Sequence, residues 1–232
     1  VRVVLLKDAP ESFGTDVTRT NNLQNRVEGR DFVSSDPEQT RITGEMSLSG
    51  VEYQVHRTDD FVPTPTSCDL IEVTTALACA SVDPPHSVAA KTGIGRFFND
   101  LSKAPYKAIF NPQTSGSQSF NAVRILRAID DWIAEKKSQS DRKSGYAWGL
   151  LVHGNRAIAA SVFKNVGQTI LEQPISEMNS NYVTLVVEAC EAVYPAMLSH
   201  LEAEYPNKAL AVLFKGSSNC KAIHEAVAER VA

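Results

Sequence analysis

The chain lacks most of the features that announce an activity directly. It has four cysteines in 232 residues, Cys68, Cys79, Cys190 and Cys220, with no Cys-x-x-Cys pair and no histidine at metal-ligand spacing. That excludes a zinc ribbon and a dithiol redox motif, and makes buried thiols in a reducing compartment the expectation. The five histidines, His56, His86, His153, His200 and His224, show no paired metal spacing either. No apolar run reaches the roughly 20 residues of a membrane helix, and no signal or transit peptide is read, so a cytoplasmic protein without membrane contact is expected. There is no internal repeat and no low-complexity tract. The net charge of -4 argues against a chain that as a whole binds a polyanion.

What is present is an ordinary globular composition, 43% apolar and 22% charged, enough to bury a sizeable core. Charge is distributed unevenly. Lys91 to Lys143 holds ten Lys/Arg against five Asp/Glu, whereas Leu171 to Glu204 holds six Glu and no Lys or Arg. Two solvated helical faces account for this; so would a local phosphate contact and a basic partner, and both readings stay open.

Hydrophobic periodicity predicts a mainly α chain with a small α/β portion at its start. Val1–Lys7 reads as a β-branched strand, and Val51–Arg57 alternates apolar and polar as a second strand. Gly14–Asn22 can make a short helix between them. Two strands alone are marginal, and the chain opens on Val1 within an apolar run rather than on Met, so the rest of the sheet is expected from an upstream part or from a partner chain. Asp36-Pro37-Glu38-Gln39 is a helix start: Asp36 caps, Pro37 suits the first turn, Gln39 reaches back, and the helix runs to about Ser49 before Gly50. Beyond the Pro63/Pro65 linker only helices are expected. They run over Ser67–Val82, from Asp83-Pro84-Pro85 onward, and over Ser117–Lys137 with Phe120, Val123, Leu126, Ile129 and Ile133 on one face. Further helices are expected over Tyr146–Val166 as one helix in the bundle centre, over Asn181–Ala203 with a kink at Pro195, and after Gly216. The expected division is a segment of residues 1–62 followed by a helical domain of residues 67–232.

Polar residues without simple charge concentrate between Thr18 and Gln39. Carboxamides there can read the polar edges of a ligand, and arginine can hold phosphate. Equally, Asn and Asp cap helices and shape turns. The run Thr-Asn-Asn-Leu-Gln-Asn-Arg-Val-Glu-Gly-Arg-Asp-Phe-Val-Ser-Ser-Asp-Pro-Glu-Gln at residues 20–39, followed by the strand with Tyr53, resembles the abortive phage infection protein (AIPR) family. The family shows an Asn-x-Gln-Asn segment, here Asn22, Gln24 and Asn25. It then shows Arg-Asp-x-x-Ser-x-Asp-x-x-Gln, here Arg30, Asp31, Ser34, Asp36 and Gln39, and then an aromatic strand. Val73–Ala80 and Lys107–Pro112 also resemble longer members. The resemblance implies a cytoplasmic bacterial antiviral protein whose nuclease-like part and Asn-Gly-x-Gln-Thr segment lie upstream; neither motif is in this chain.

The candidate ligand-binding residues are therefore Asn21, Asn22, Gln24, Asn25, Arg30, Asp31, Asp36 and Gln39, with no catalytic residue, metal ligand or cofactor expected. Expected partners are the upstream part of the same protein, nucleic acid and a second copy of the chain. The rival reading is a helical interaction module that associates through the acidic helix Asn181–Ala203 or with itself, and a nucleic-acid-processing enzyme is a third. His153-Gly154-Asn155 and Trp132 and Trp148 read as buried structure. Lys215-Gly216-Ser217-Ser218 reads as a helix N-terminus, and Gly93-Ile94-Gly95 lacks the context of a dinucleotide site.

Overall fold

The structure is a computed structural model that describes residues 29–231, apart from 57, 59, 82, 142, 179 and 180. The expected strand Val1–Lys7, the expected helix Gly14–Asn22 and the residues Asn21, Asn22, Gln24 and Asn25 lie outside the described residues.

A 3-10 turn, Gly29–Ser35, leads into α1, Pro37–Leu48. The start of α1 is set locally: Asp36 holds an extended backbone and its carboxylate accepts the Glu38 N–H at 2.8 Å, while Pro37 has no N–H to leave orphaned. Gln39 does not take the capping role expected of it. Its side chain turns inward and is buried.

β1, Glu52–Gln54, and β2, Ser67–Asp69, form a two-stranded parallel sheet with Tyr53 opposite Cys68. Two expectations are corrected here. The strand expected over Val51–Arg57 pairs over three residues, and its neighbour is a segment that had read as the opening of a helix. α2, Leu70–Ala80, starts only after Asp69, whose carboxylate accepts the Glu72 N–H at 2.7 Å. Asp69 ends the strand and caps the helix, so the backbone groups of Ser67 and Cys68 are free to pair with β1.

The rest is helical: α3 (Pro85–Thr92), a 3-10 turn (Ile94–Phe98), α4 (Tyr106–Ile109), α5 (Gly116–Ser138), α6 (Gly145–His153) and α7 (Asn155–Val166). α8 (Gln168–Leu171), α9 (Asn181–Glu204, continuing through Pro195), α10 (Leu210–Leu213) and α11 (Ser217–Val231) follow. α5 is central and packs against α1, α2 and α9. Its predicted face, Phe120, Val123, Leu126, Ile129 and Ile133, is buried throughout. One core runs from Val33 and Tyr53 through Ile129 to Leu201 and Val227.

The single helix expected over Tyr146–Val166 is two. The chain breaks at Gly154, which is wedged between its own preceding turn and α10: a Cβ there would lie 2.5 Å from Leu150 Cδ1 and 2.9 Å from Phe214 Cε2. His153 and Trp148 are half-buried at and near this break rather than enclosed in the core. All four cysteines are free and buried. Burial pushes the thiols of Cys68, Cys79 and Cys190 up to about 12 and that of Cys220 to about 11, so they stay protonated. Among the described residues no helix is long and apolar enough to cross a membrane.

Candidate functional site

Gln39 projects from the first turn of α1 between two tyrosines that come from elsewhere in the fold. The Tyr53 hydroxyl, on β1, donates to Gln39 Oε1 at 2.7 Å, and Gln39 Nε2 donates to the Tyr106 hydroxyl, on α4, at 3.0 Å. Both rings are buried. Burial pushes both phenols above their ordinary value; the Asp36 carboxylate adds to this at Tyr106, and the Arg30 guanidinium counters it at Tyr53.

Asp36 is also buried. One of its oxygens caps Glu38, and the other lies 3.5 Å from Lys107 Nζ. That ammonium in turn sits 5.6 Å from the centre of the Tyr106 ring. Arg30, Asp36 and Gln39 are thus brought together with Tyr53, Tyr106 and Lys107. Arg30 is half-buried, and its Nε is fully enclosed with no hydrogen-bond partner. Asp31 lies in the same 3-10 turn. Beside the cluster Arg41 binds Glu38 and Glu45 and donates to the carbonyls of Asn111 and Thr114, which ties α1 to the loop before α5.

Chemically, the inner part of this arrangement holds elements together. The polar atoms of Gln39 join β1 to α4 through α1, and Asp36 fixes the start of that helix. Arg30 and Lys107 carry the positive charge at its margin. Tyr106 and Lys107 were not among the residues singled out from sequence for a site. Tyr106 lies 67 residues from Gln39 in the chain and Lys107 is equally remote from Asp36, and their one signal was membership of the Lys107–Pro112 run and its preceding aromatic.

A second feature is a groove of about 810 Å³ between α5 and the first half of α9, lined also by Pro63 and Pro65. Trp132 forms its floor and donates its indole N–H to Glu191 at 2.9 Å, with Lys136 bound to the same carboxylate at 2.8 Å. Hydrogen bonding to Lys136 and Trp132 holds Glu191 below the usual carboxylate range. Arg124 lies 4.9 Å from the centre of the Tyr182 ring. Arg127 is engaged elsewhere, bidentate to Glu72 and bonded to the carbonyls of Thr64 and Ser67. Val183, at 41% exposure, and Val187, at 36%, rim the groove, with Leu185 exposed nearby. Sequence reading had marked this helix for its acidity and missed its exposed valines, because their apolar character suggests core unless the neighbour across the groove is known.

Among the described residues no three His, Cys, Asp or Glu side chains gather to share a metal ion. A family model described as AIPR protein matches residues 1–217. No curated protein and no solved structure is significantly similar to the chain.

Proposed function

The chain belongs to the AIPR family, whose members act in abortive infection, the defence of a bacterium against phage, and from that premise we propose that this region serves defence as a non-catalytic, cytoplasmic part of its protein. Asn21, Asn22, Gln24 and Asn25 with Arg30 and Asp31 form a ligand or nucleic-acid site shared with an upstream part of the same protein. Asp36 and Gln39 anchor that site to the helical body, which acts as a scaffold. The supporting observation is Arg30: a motif arginine whose Nε is enclosed without a partner, at the edge of a network that fixes the elements around it. A guanidinium so placed has donors left for a phosphate or carboxamide. In the full-length protein, Asn22→Ala with Gln24→Ala is expected to abolish protection in a plaque assay and to weaken nucleic-acid binding, with thermal stability kept. Arg30→Ala is expected to do the same. Defence and binding that both survive would remove the site.

A second reading, an interaction module, is favoured by the exposed Val183 and Val187 beside Asp131 and Glu135, in a groove whose cations are engaged: Arg127 with Glu72, Lys136 with Glu191, and Arg124 with the carbonyls of Ile175 and Met178. Acidic groups around an apolar strip fit a basic, apolar segment of a partner protein better than a second acidic copy. A synthetic Leu/Lys amphipathic peptide is expected to perturb Trp132 fluorescence in a salt-sensitive manner, and Val183→Asp with Val187→Asp to abolish the response. A Leu/Glu peptide that binds equally well, or self-association by light scattering without a peptide response, would overturn it.

A further inference from the structure

The helices α7, α9 and α11 pack on one another, and between them lies a cavity of about 320 Å³. That is the small end of the range in which proteins hold small molecules. Its wall has two characters. Val227, Ala228 and Val231 of α11 stand with His224 at i, i+3, i+4 and i+7, and so share one face of that helix. Val193 of α9 continues the apolar wall, and Val193 and Val227 are both buried. The polar part comes from α7, as Ser161, Lys164 and Asn165 on adjacent turns.

Where the two parts meet, the Ser161 hydroxyl lies 3.1 Å from His224 Nδ1. Ser161 is buried, so the pair is fixed in the wall. Burial and the Lys164 ammonium hold His224 below its ordinary value, against the opposing effect of Glu225, so near neutral pH the ring is uncharged. Either tautomer leaves the pair one spare donor. With the proton on Nδ1, the ring donates to Ser161 Oγ and the hydroxyl hydrogen is free; with the proton on Nε2, the hydroxyl donates to Nδ1 and the Nε2–H is free. Among the described residues that line the cavity Lys164 is the one ionic side chain, and no carboxylate of the described residues pairs with it. Glu225 instead lines a neighbouring cavity of about 470 Å³ with Asp83 and Lys221, which presents both signs and selects no ligand charge.

We propose that the smaller cavity binds a small apolar monocarboxylate. Lys164, the spare donor of the Ser161–His224 pair and the Asn165 carboxamide hold the carboxylate, and the hydrocarbon body lies against Val193, Val227, Ala228 and Val231. A carboxylate accepts from each of these donors and answers the unpaired ammonium, whereas a cationic head would oppose Lys164 and a neutral one would leave its charge unanswered. A bare inorganic anion would leave the valine wall facing water. This site is separate from the Arg30 cluster and from the Trp132 groove, and stands or falls independently of both.

The test is calorimetric titration of the 232-residue chain near neutral pH with hexanoate and octanoate, and with octanol and octylamine, which keep the hydrocarbon body and change the head. Binding of at least one acid is expected, with octanol and octylamine weaker than octanoate by at least about tenfold. Lys164→Met should weaken the acid by a similar factor. Ala228→Leu, which fills the apolar part and touches no charge, should abolish binding. The ring carbon and proton signals of His224 give a second readout and should shift with the acid and not with octylamine. No binding of either acid overturns the proposal. So does octylamine binding as tightly as octanoate, or acid affinity unchanged in a folded Ala228→Leu variant.

Discussion

Between Tyr53 and Tyr106 the side chain must accept a hydrogen bond at one end and donate one at the other, and a carboxamide does both. Gln39→Leu keeps the size and leaves two buried phenols without that partner, which is expected to cost about 2–4 kcal/mol, read as a lower urea midpoint. Tyr53→Phe removes one donor and strands Gln39 Oε1, at about 1–2 kcal/mol. If the three side chains act as a chain, the double variant should cost clearly less than the sum of the two. Simple additivity would mean that the network does not couple β1 to α4. The residue was legible in the sequence as part of a motif, but its job was not. Asp-Pro-Glu-Gln predicts a cap from local spacing, whereas the inward turn of Gln39 depends on Tyr106, which no local rule connects to it.

At the scale of elements, close approach decides what local pattern cannot. α1 and α5 meet at Gly116, where a Cβ would lie 2.7 Å from Glu45 Cβ and 3.1 Å from the Met46 nitrogen. Backbone on the far side cannot yield, and the Gly116 N–H donates to Glu45 at 2.6 Å. Gly116→Ala gains helix propensity of at most about 1 kcal/mol and loses about 1–3 kcal/mol to overpacking. The expected result is a lower denaturation midpoint with an unchanged denaturant slope, and a stabilised variant would contradict the packing. The same physics explains which elements were readable. α5 shows its apolar positions at helical spacing against polar ones, so its bounds and buried face follow from sequence. The break at Gly154 sits in a stretch apolar on all sides, where no change of period marks it, and the need for glycine there comes in part from the Phe214 ring, remote in sequence. β2 is three residues long and runs straight into a capped helix, so its pairing with β1 leaves no alternation to read.

Across the molecule four histidines sit in surroundings that disfavour charge. Burial is the largest cause of a lowered value at His86, His153, His200 and His224; neighbouring lysines or Arg230 add to it at the last three. Between these folded-state values and the ordinary 6.5, the unfolded chain binds more protons than the folded one. Stability therefore rises with pH through that window and is lost as pH falls through it. Glu45 and Glu191 act in the same direction at lower pH. The carboxyl of Glu45 is held below its ordinary range by the Gly116 N–H and Arg41, against the opposing effect of burial, and Glu191 by Lys136 and Trp132. Their stabilising contacts are complete above 4.5 and are lost as pH drops through the folded values. Acid sensitivity should accordingly begin with the histidines, near neutral pH. The thermal midpoint is expected to fall steadily from pH 7 toward pH 5. His224→Gln, which keeps a polar group beside the Ser161 hydroxyl at 3.1 Å, should flatten the upper part of that slope. A midpoint that is constant or higher at pH 5 would mean that these rings accept protons in place, and the half-buried settings of His86 and His224 would then have to open to water without unfolding.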